Sequence, residues 1–79
     1  MNREDEYIGK ITDVSDFFIN IVLDSEPAEN IKIDLCFMSD DSIAKMKSKI
    51  GSDSIVRADY IVDLFGNKNL YCKSVEFLE

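Results

Sequence analysis

Asp40-Asp41-Ser42-Ile43-Ala44-Lys45-Met46-Lys47-Ser48-Lys49-Ile50-Gly51 is the one stretch of this chain with helical periodicity. Ile43, Met46 and Ile50 fall at spacings of three, four and seven, which places them on one face of a helix. Ser39, Asp40 or Asp41 supplies the cap, because a short side-chain oxygen accepts an otherwise orphaned backbone N–H. Asp40 and Asp41 lie at the positive end of the helix dipole, and Lys47 and Lys49 lie at the negative end. Asp41 and Lys45, four apart in the favourable order, add about 0.3 kcal/mol. Gly51 stops the helix, since it takes a left-handed conformation without steric cost. The spacing therefore predicts a helix over 40–51 with a single apolar stripe, which must cover something larger than itself.

The sequence on either side of this helix reads as strands. Working back from it, Ile31–Met38 alternates, with Ile31, Ile33, Leu35 and Phe37 set against Lys32, Asp34, Cys36 and Met38. Ser25–Asn30, with the only proline, Pro27, is a loop. Residues 17–24 alternate with Phe17, Ile19, Ile21 and Leu23 inward and Phe18, Asn20, Val22 and Asp24 outward. Residues 7–14 form a first strand, in which Gly9 signals a bulge or a sharp coil. Met1–Glu6 is polar and reads as a frayed tail, so the domain is expected to span 7–79. Beyond the helix, Ile55–Phe65 is a fourth strand, with Val56, Ala58, Tyr60, Val62 and Leu64 inward and Arg57, Asp59 and Asp63 outward. Gly66-Asn67-Lys68-Asn69 tolerates positive φ and makes a hairpin turn. Leu70–Leu78 is the last strand, with Tyr71, Val75 and Phe77 as its core residues.

The expected fold is thus mainly β with one helix, in the order β-β-β-α-β-β. Five one-sided strands leave costly edges in an open sheet, and closing them into a small barrel removes those edges. A helix between the third and fourth strands then plugs one end, as in the five-stranded OB-fold. The second half carries the more specific likeness. Lys49-Ile50-Gly51 is followed by Asp53-Ser-Ile-Val-Arg-Ala-Asp-Tyr-Ile-Val-Asp-Leu-Phe-Gly66 and closed by Leu70-Tyr-Cys-Lys-Ser-Val-Glu-Phe-Leu78. Residues 40–79 resemble the closing half of OB domains of the tRNA-anticodon and replicative-polymerase type. The resemblance implies an OB-like barrel through a pattern of core positions, and a fold alone does not imply a function.

A chain of 79 residues makes one domain, and its 46% apolar content is that of a globular protein. No apolar run is long enough to span a membrane, and the polar N-terminus is not a secretory signal. A cytoplasmic location is expected, with Cys36 and Cys72 as free thiols. The net charge of −7, from 16 acidic and 9 basic residues, disfavours non-specific contact with nucleic acid. It fits solubility or a basic protein partner.

Catalytic chemistry finds little support. The chain has no histidine, the commonest general base and metal ligand. Cys36 and Cys72 lack an activating base and lack metal-site spacing, and the three glycines lie too far apart for a phosphate loop. Asp59 and Asp63 share a strand face about 13 Å apart, too far for a glycosidase pair. Asp24, Glu26, Glu29 and Asp34 match no calcium loop. A non-enzyme without cofactor or metal is expected.

Binding is the remaining role. OB-folds that hold oligonucleotides use strands two and three and the flanking loops. Here that face carries Phe18, Asn20, Val22, Lys32, Asp34, Cys36 and Met38, with Phe65, Asn67, Lys68 and Asn69 at the last hairpin. Single-strand binding requires stacking aromatics and phosphate-tracking cations. The face offers one clear aromatic, Phe18, and two lysines opposed by Asp24 and Asp34. Phe18, Val22, Cys36 and Met38 read instead as a modest apolar patch with polar neighbours, the anatomy of a protein contact. The leading expectation is a protein-binding adaptor, accessory subunit or inhibitor, with mimicry of nucleic acid as a refinement. A weak single-strand nucleic-acid binder and a self-associating structural subunit are the alternatives.

Overall fold

Strict alternation cannot bury Gly9, Ile11 and Val14 together, because the step from 11 to 14 changes parity. A β-bulge at Thr12 resolves it: Ile11 pairs with Ile21 and Asp13 with Asn20, so Thr12 is the extra residue. The same device recurs late in the chain. Arg57 pairs with Ser74 and Ala58 with Cys72, so Lys73 is the extra residue of a second bulge. That bulge lets Cys72 face inward while Val75 and Phe77, on the other parity, also pack against the core.

A computed structural model of the protein describes residues 4–78. Its elements are β1 (Glu4–Val14), β2 (Phe18–Leu23), β3 (Asn30–Asp34), α1 (Asp40–Lys47), β4 (Asp53–Val62) and β5 (Lys68–Leu78). The strands close into a barrel in the order β1-β2-β3-β5-β4. The expected class and element order are therefore observed. β1 belongs to two ladders, pairing with β4 through residues 4–10 and with β2 through residues 9–14. Gly9 lies where these overlap, and a Cβ there would meet the Val22 carbonyl oxygen at 2.2 Å. Close approach, rather than a bulge at Gly9 itself, explains this glycine. The ring closes through β3 and β5, which run parallel and register at a single pair, Asp34 with Tyr71.

The core is Ile11, Val14, Ile19, Ile21, Ile33, Leu35, Ile43, Met46, Val56, Ala58 and Cys72. Alternation placed Ile19, Ile21, Ile33, Leu35, Val56 and Ala58 correctly. Ser54 is the buried polar side chain among the described residues, and its hydroxyl donates to the Gly9 carbonyl at 3.3 Å.

Several strand and helix ends differ from the sequence expectation, each for a local reason. Of the expected tail, residues 1–3 lie outside the described residues, whereas Glu4, Asp5 and Glu6 continue β1 opposite Asp59, Ala58 and Arg57. Ser15 Oγ accepts the N–H groups of Phe17 and Phe18 at 3.2 and 3.1 Å, so the chain turns before β2 and Phe17 faces solvent. Asp34 Oδ1 accepts the Cys36 N–H at 2.7 Å, ending β3 four residues early and turning Phe37 outward. Ser39 is the helix cap, its Oγ accepting the Ser42 N–H at 3.2 Å. The helix stops at Lys47. A turn through Gly51, at φ 95°, carries the chain back so that Gly51 N–H donates to Ile11 O at 2.7 Å and Ile11 N–H to Ser52 O at 3.0 Å. Ile50 therefore leaves the helical stripe and is exposed. Ile43 and Met46 alone plug the barrel end.

The β4–β5 hairpin extends past the body of the barrel. Among the described residues, β1 follows β4 only as far as Asp59, while β4 and β5 stay paired to Val62 and Lys68. Ile61, Val62 and Leu64 accordingly face solvent, against the expectation that Val62 and Leu64 point inward. Tyr71 also departs from the expected core set: it is half-buried on the outside, and Cys72 fills the interior position.

Candidate binding surfaces

Phe18, Asn20 and Val22 lie on the outer face of β2, opposite Asp34, Lys32 and Asn30 of β3. They face outward because Ile19 and Ile21, between them, are fully buried. Lys32 Nζ sits 4.0 Å from the centroid of the Phe18 ring, a cation–π contact. At the seam, where β3 and β5 diverge from their single registered pair, a cleft of about 220 Å³ is lined by Phe18, Lys32, Asp34, Lys68, Asn69 and Tyr71. Tyr71 in turn meets Phe37 with ring centroids 5.5 Å apart at 55°. Five residues of the predicted face, from strands two, three and five, therefore converge, and they gain two aromatics that alternation alone does not place there.

Lys68 is held on the wall of this cleft. Its ammonium pairs with Asp5 and lies 4.2 Å from the Tyr60 ring centroid, and the Tyr7 hydroxyl donates to Asp5 at 2.9 Å. The Lys68 and Tyr7 hydrogen bonds hold the Asp5 carboxyl below its ordinary range. Asp5 in turn raises Lys68. Burial, then the neighbouring carboxylate, pushes Tyr7 up.

The rest of the predicted face is dispersed. Val22 lies at the far end, bordering an open hollow with Lys10, Thr12, Asp24 and Glu26. Cys36 is exposed in the turn after β3, not on the sheet. Met38 turns inward and packs against the core. The apolar patch of Phe18, Val22, Cys36 and Met38 is thus not contiguous, because β3 ends at Asp34 and the alternation that grouped these residues ends with it. Phe65 and Asn67 belong to the hairpin tip rather than to the cleft.

That tip is the most exposed apolar feature of the protein. Leu64 and Phe65 are 101% and 89% exposed, and Ile61 and Val62 lie exposed behind them. Hydrogen bonds fix the turn. Asp63 Oδ1 accepts the N–H groups of Phe65 and Asn67 at 2.8 and 2.9 Å, Asp63 N–H donates to Asn67 O, and Gly66 takes φ 82°. The backbone donors of Asn67 and Phe65 hold the Asp63 carboxyl below its usual range. The sequence did carry a signal for this surface: Leu64-Phe65 is an apolar pair inside a Gly-Asn turn, where a solvated loop has no use for it.

Among the described residues no group of three or more His, Cys, Asp or Glu side chains is placed to hold a metal ion. No helix among them is long and apolar enough to cross a membrane. The chain matches no protein-family model, no curated protein and no solved structure.

Proposed function

We propose that this chain is a non-enzymatic, OB-like barrel that recognises a protein partner through the tip of its β4–β5 hairpin, as an adaptor, accessory subunit or inhibitor. The observation that carries this reading is the pair Leu64 and Phe65, fully in solvent on a turn pinned by Asp63. Large apolar side chains held ready on an ordered turn bind with little further loss of conformational entropy, which is how an interface anchor works. On a chain of net charge −7, exposed carboxylates at Asp24, Glu26, Glu29 and Asp59 favour a basic partner.

The test compares partner capture by the natural chain, by Leu64→Ser/Phe65→Ser and by a variant with Asp24, Glu26, Glu29 and Asp59 changed to lysine. Neither variant touches the core. Loss of the captured protein in the first, and a weaker, salt-sensitive loss in the second, is the expected result. Equal capture by all three overturns the hairpin reading. Sedimentation at several concentrations separates a foreign partner from a second copy, since tip-to-tip association predicts a mass that rises with concentration.

A second reading, weak single-strand nucleic-acid binding, is favoured by the Lys32–Phe18 stack beside Tyr71 and Phe37. Those residues supply stacking faces next to cations. Anisotropy of labelled mixed-sequence single-stranded DNA and RNA at ~20 and ~200 mM salt decides it. Salt-sensitive binding abolished by Phe18→Ala and Lys32→Glu supports this reading, and absence of binding at low salt rejects it.

A further inference from the structure

A single pair closes the barrel between β3 and β5. Among the described residues these strands register only at Asp34 with Tyr71, and the next pair of that ladder, Ile33 with Leu70, does not form. In an antiparallel ladder, bonded and non-bonded pairs alternate, and residues of a non-bonded pair turn their main-chain groups away from each other. The Leu35 N–H donates to Phe17 O and the Leu23 N–H to Glu29 O, which makes Ile19–Ile33 and Ile21–Ile31 the bonded pairs of β2 and β3. Asn30, Lys32 and Asp34 therefore turn their N–H and C=O groups away from β2, toward β5. The Asp63 N–H donates to Asn67 O, so by the same alternation Lys68 and Leu70 turn theirs away from β4, toward β3. Asp34 makes the one registered pair. Beyond it, the Lys32 carbonyl and the Leu70 N–H, which the next pair would join, stand on opposite walls of the cleft of about 220 Å³.

We infer that this slot receives an extended segment of a protein partner, which adds as a short strand between β3 and β5 and hydrogen-bonds through its main chain to Lys32 on one wall and Leu70 on the other. Strand addition draws its affinity from the main chain and its specificity from pockets for alternate side chains. Inward, the added strand meets Ile31 and Leu70, half-buried residues packed against the core, where a β-branched apolar residue fits. Outward, it lies between the Lys32–Phe18 stack and Tyr71. The walls select against other occupants. The sugar–phosphate backbone of DNA brings acceptors but no donor, and the Lys32 carbonyl needs a donor. A second copy that paired β3 with β3 about an axis at Lys32 would set ammonium against ammonium. The slot is lined by the base of the β4–β5 hairpin and not by its tip, so it does not depend on Leu64 and Phe65.

The experiment uses the ¹⁵N-labelled full chain, whose Lys32 and Leu70 amides report on the two walls. In the free chain these two amides are expected to exchange with solvent about tenfold faster than those of Ile31 and Ile33, which bond to β2. The probe is the capped peptide Thr-Val-Thr-Val-Thr, and the control is the same peptide N-methylated at both valines. Because the main chain carries strand addition, a generic strand-forming peptide is a sufficient probe. It should move the Lys32 and Leu70 amide signals together and slow their exchange to the level of their neighbours, and the N-methylated peptide should do neither. Lys32→Pro removes a donor that faces the slot and should weaken the peptide about tenfold, while Lys32→Thr keeps the donor and should bind as the natural chain does. If Lys32→Pro fails to fold, the N-methylated peptide decides alone. Leu64→Ser/Phe65→Ser should bind the peptide unchanged, which keeps this test separate from that of the hairpin tip. A Lys32 amide as protected in the free chain as that of Ile33, signals unmoved at about 1 mM peptide, equal movement with the N-methylated peptide, or movement with a thymidine oligomer but not with peptide overturns the inference.

Discussion

Gly9 and Gly51 show how the same residue type serves two different constraints. At Gly9 the constraint is space, since an added Cβ lands 2.2 Å from the Val22 carbonyl oxygen. At Gly51 nothing lies within 4 Å of that position, and the constraint is the φ of 95°. Gly9→Ala should cost about 3 kcal/mol by forcing β1 off β2. Gly51→Ala should cost about 1 kcal/mol, the penalty of a left-handed alanine. Urea unfolding midpoints measure both, and equal losses would show that the β1 crossing yields easily. The cysteines divide as sharply. Cys72 is buried, and burial pushes its thiol up to about 11. Cys36 is exposed, its pKa raised first by desolvation and then by Asp34. In the native protein at pH 8 a disulfide reagent should therefore titrate Cys36 alone, at a rate still rising beyond the ordinary thiol pKa of ~8.5. Cys72 should react only on unfolding.

At the level of elements, the β4–β5 hairpin depends on Asp63 for its shape. Asp63→Ala removes an acceptor shared by two backbone donors without touching Leu64 or Phe65. Amide exchange at Phe65 and Asn67 should accelerate, and partner capture should fall part-way towards that of Leu64→Ser/Phe65→Ser. Faster exchange with unaltered capture would mean that the apolar pair binds without being pre-positioned. Asp63 is consequently a poor choice for testing electrostatic steering, and so is Asp34, which holds the turn after β3. The helix depends similarly on Ser39. Ser39→Ala should cost about 1 kcal/mol, seen as a lowered melting temperature. A smaller loss would indicate that Asp40 or Asp41 takes over the cap.

For the whole molecule, stability should fall at both ends of the pH range. Asp5 and Asp63 have folded pKa values below their unfolded ones. Their contribution is complete above the unfolded carboxylate value of ~3.9 and is lost as pH drops through the depressed values. Cys72 acts in the opposite direction. Above ~8.5 the unfolded chain releases a proton that the folded chain keeps until about 11, so stability declines across that window. Thermal melts from pH 2 to 11 check both limbs. A Cys72→Ala variant with the same alkaline slope would remove the thiol as its cause.

Local chemistry by itself determined the order of elements, a polar helix cap among Ser39, Asp40 and Asp41, and the inward set Ile19, Ile21, Ile33, Val56 and Ala58. Those properties depend on side-chain period and on neighbours a few residues away. The outer face of β2–β3 was legible for the same reason, as far as Asp34. Only the tertiary structure decided the two bulges at Thr12 and Lys73, because an extra residue is defined by the strand opposite it. It also decided that Cys72 rather than Tyr71 enters the core, and that Met38 turns inward to pack against it. The greatest difference lies at the ends of strands. Val62 and Leu64 carry the alternation of a buried strand, but burial requires a covering layer. Among the described residues, the barrel supplies that layer only to the part of β4 that lies against β1, so two positions patterned for a core stand in solvent.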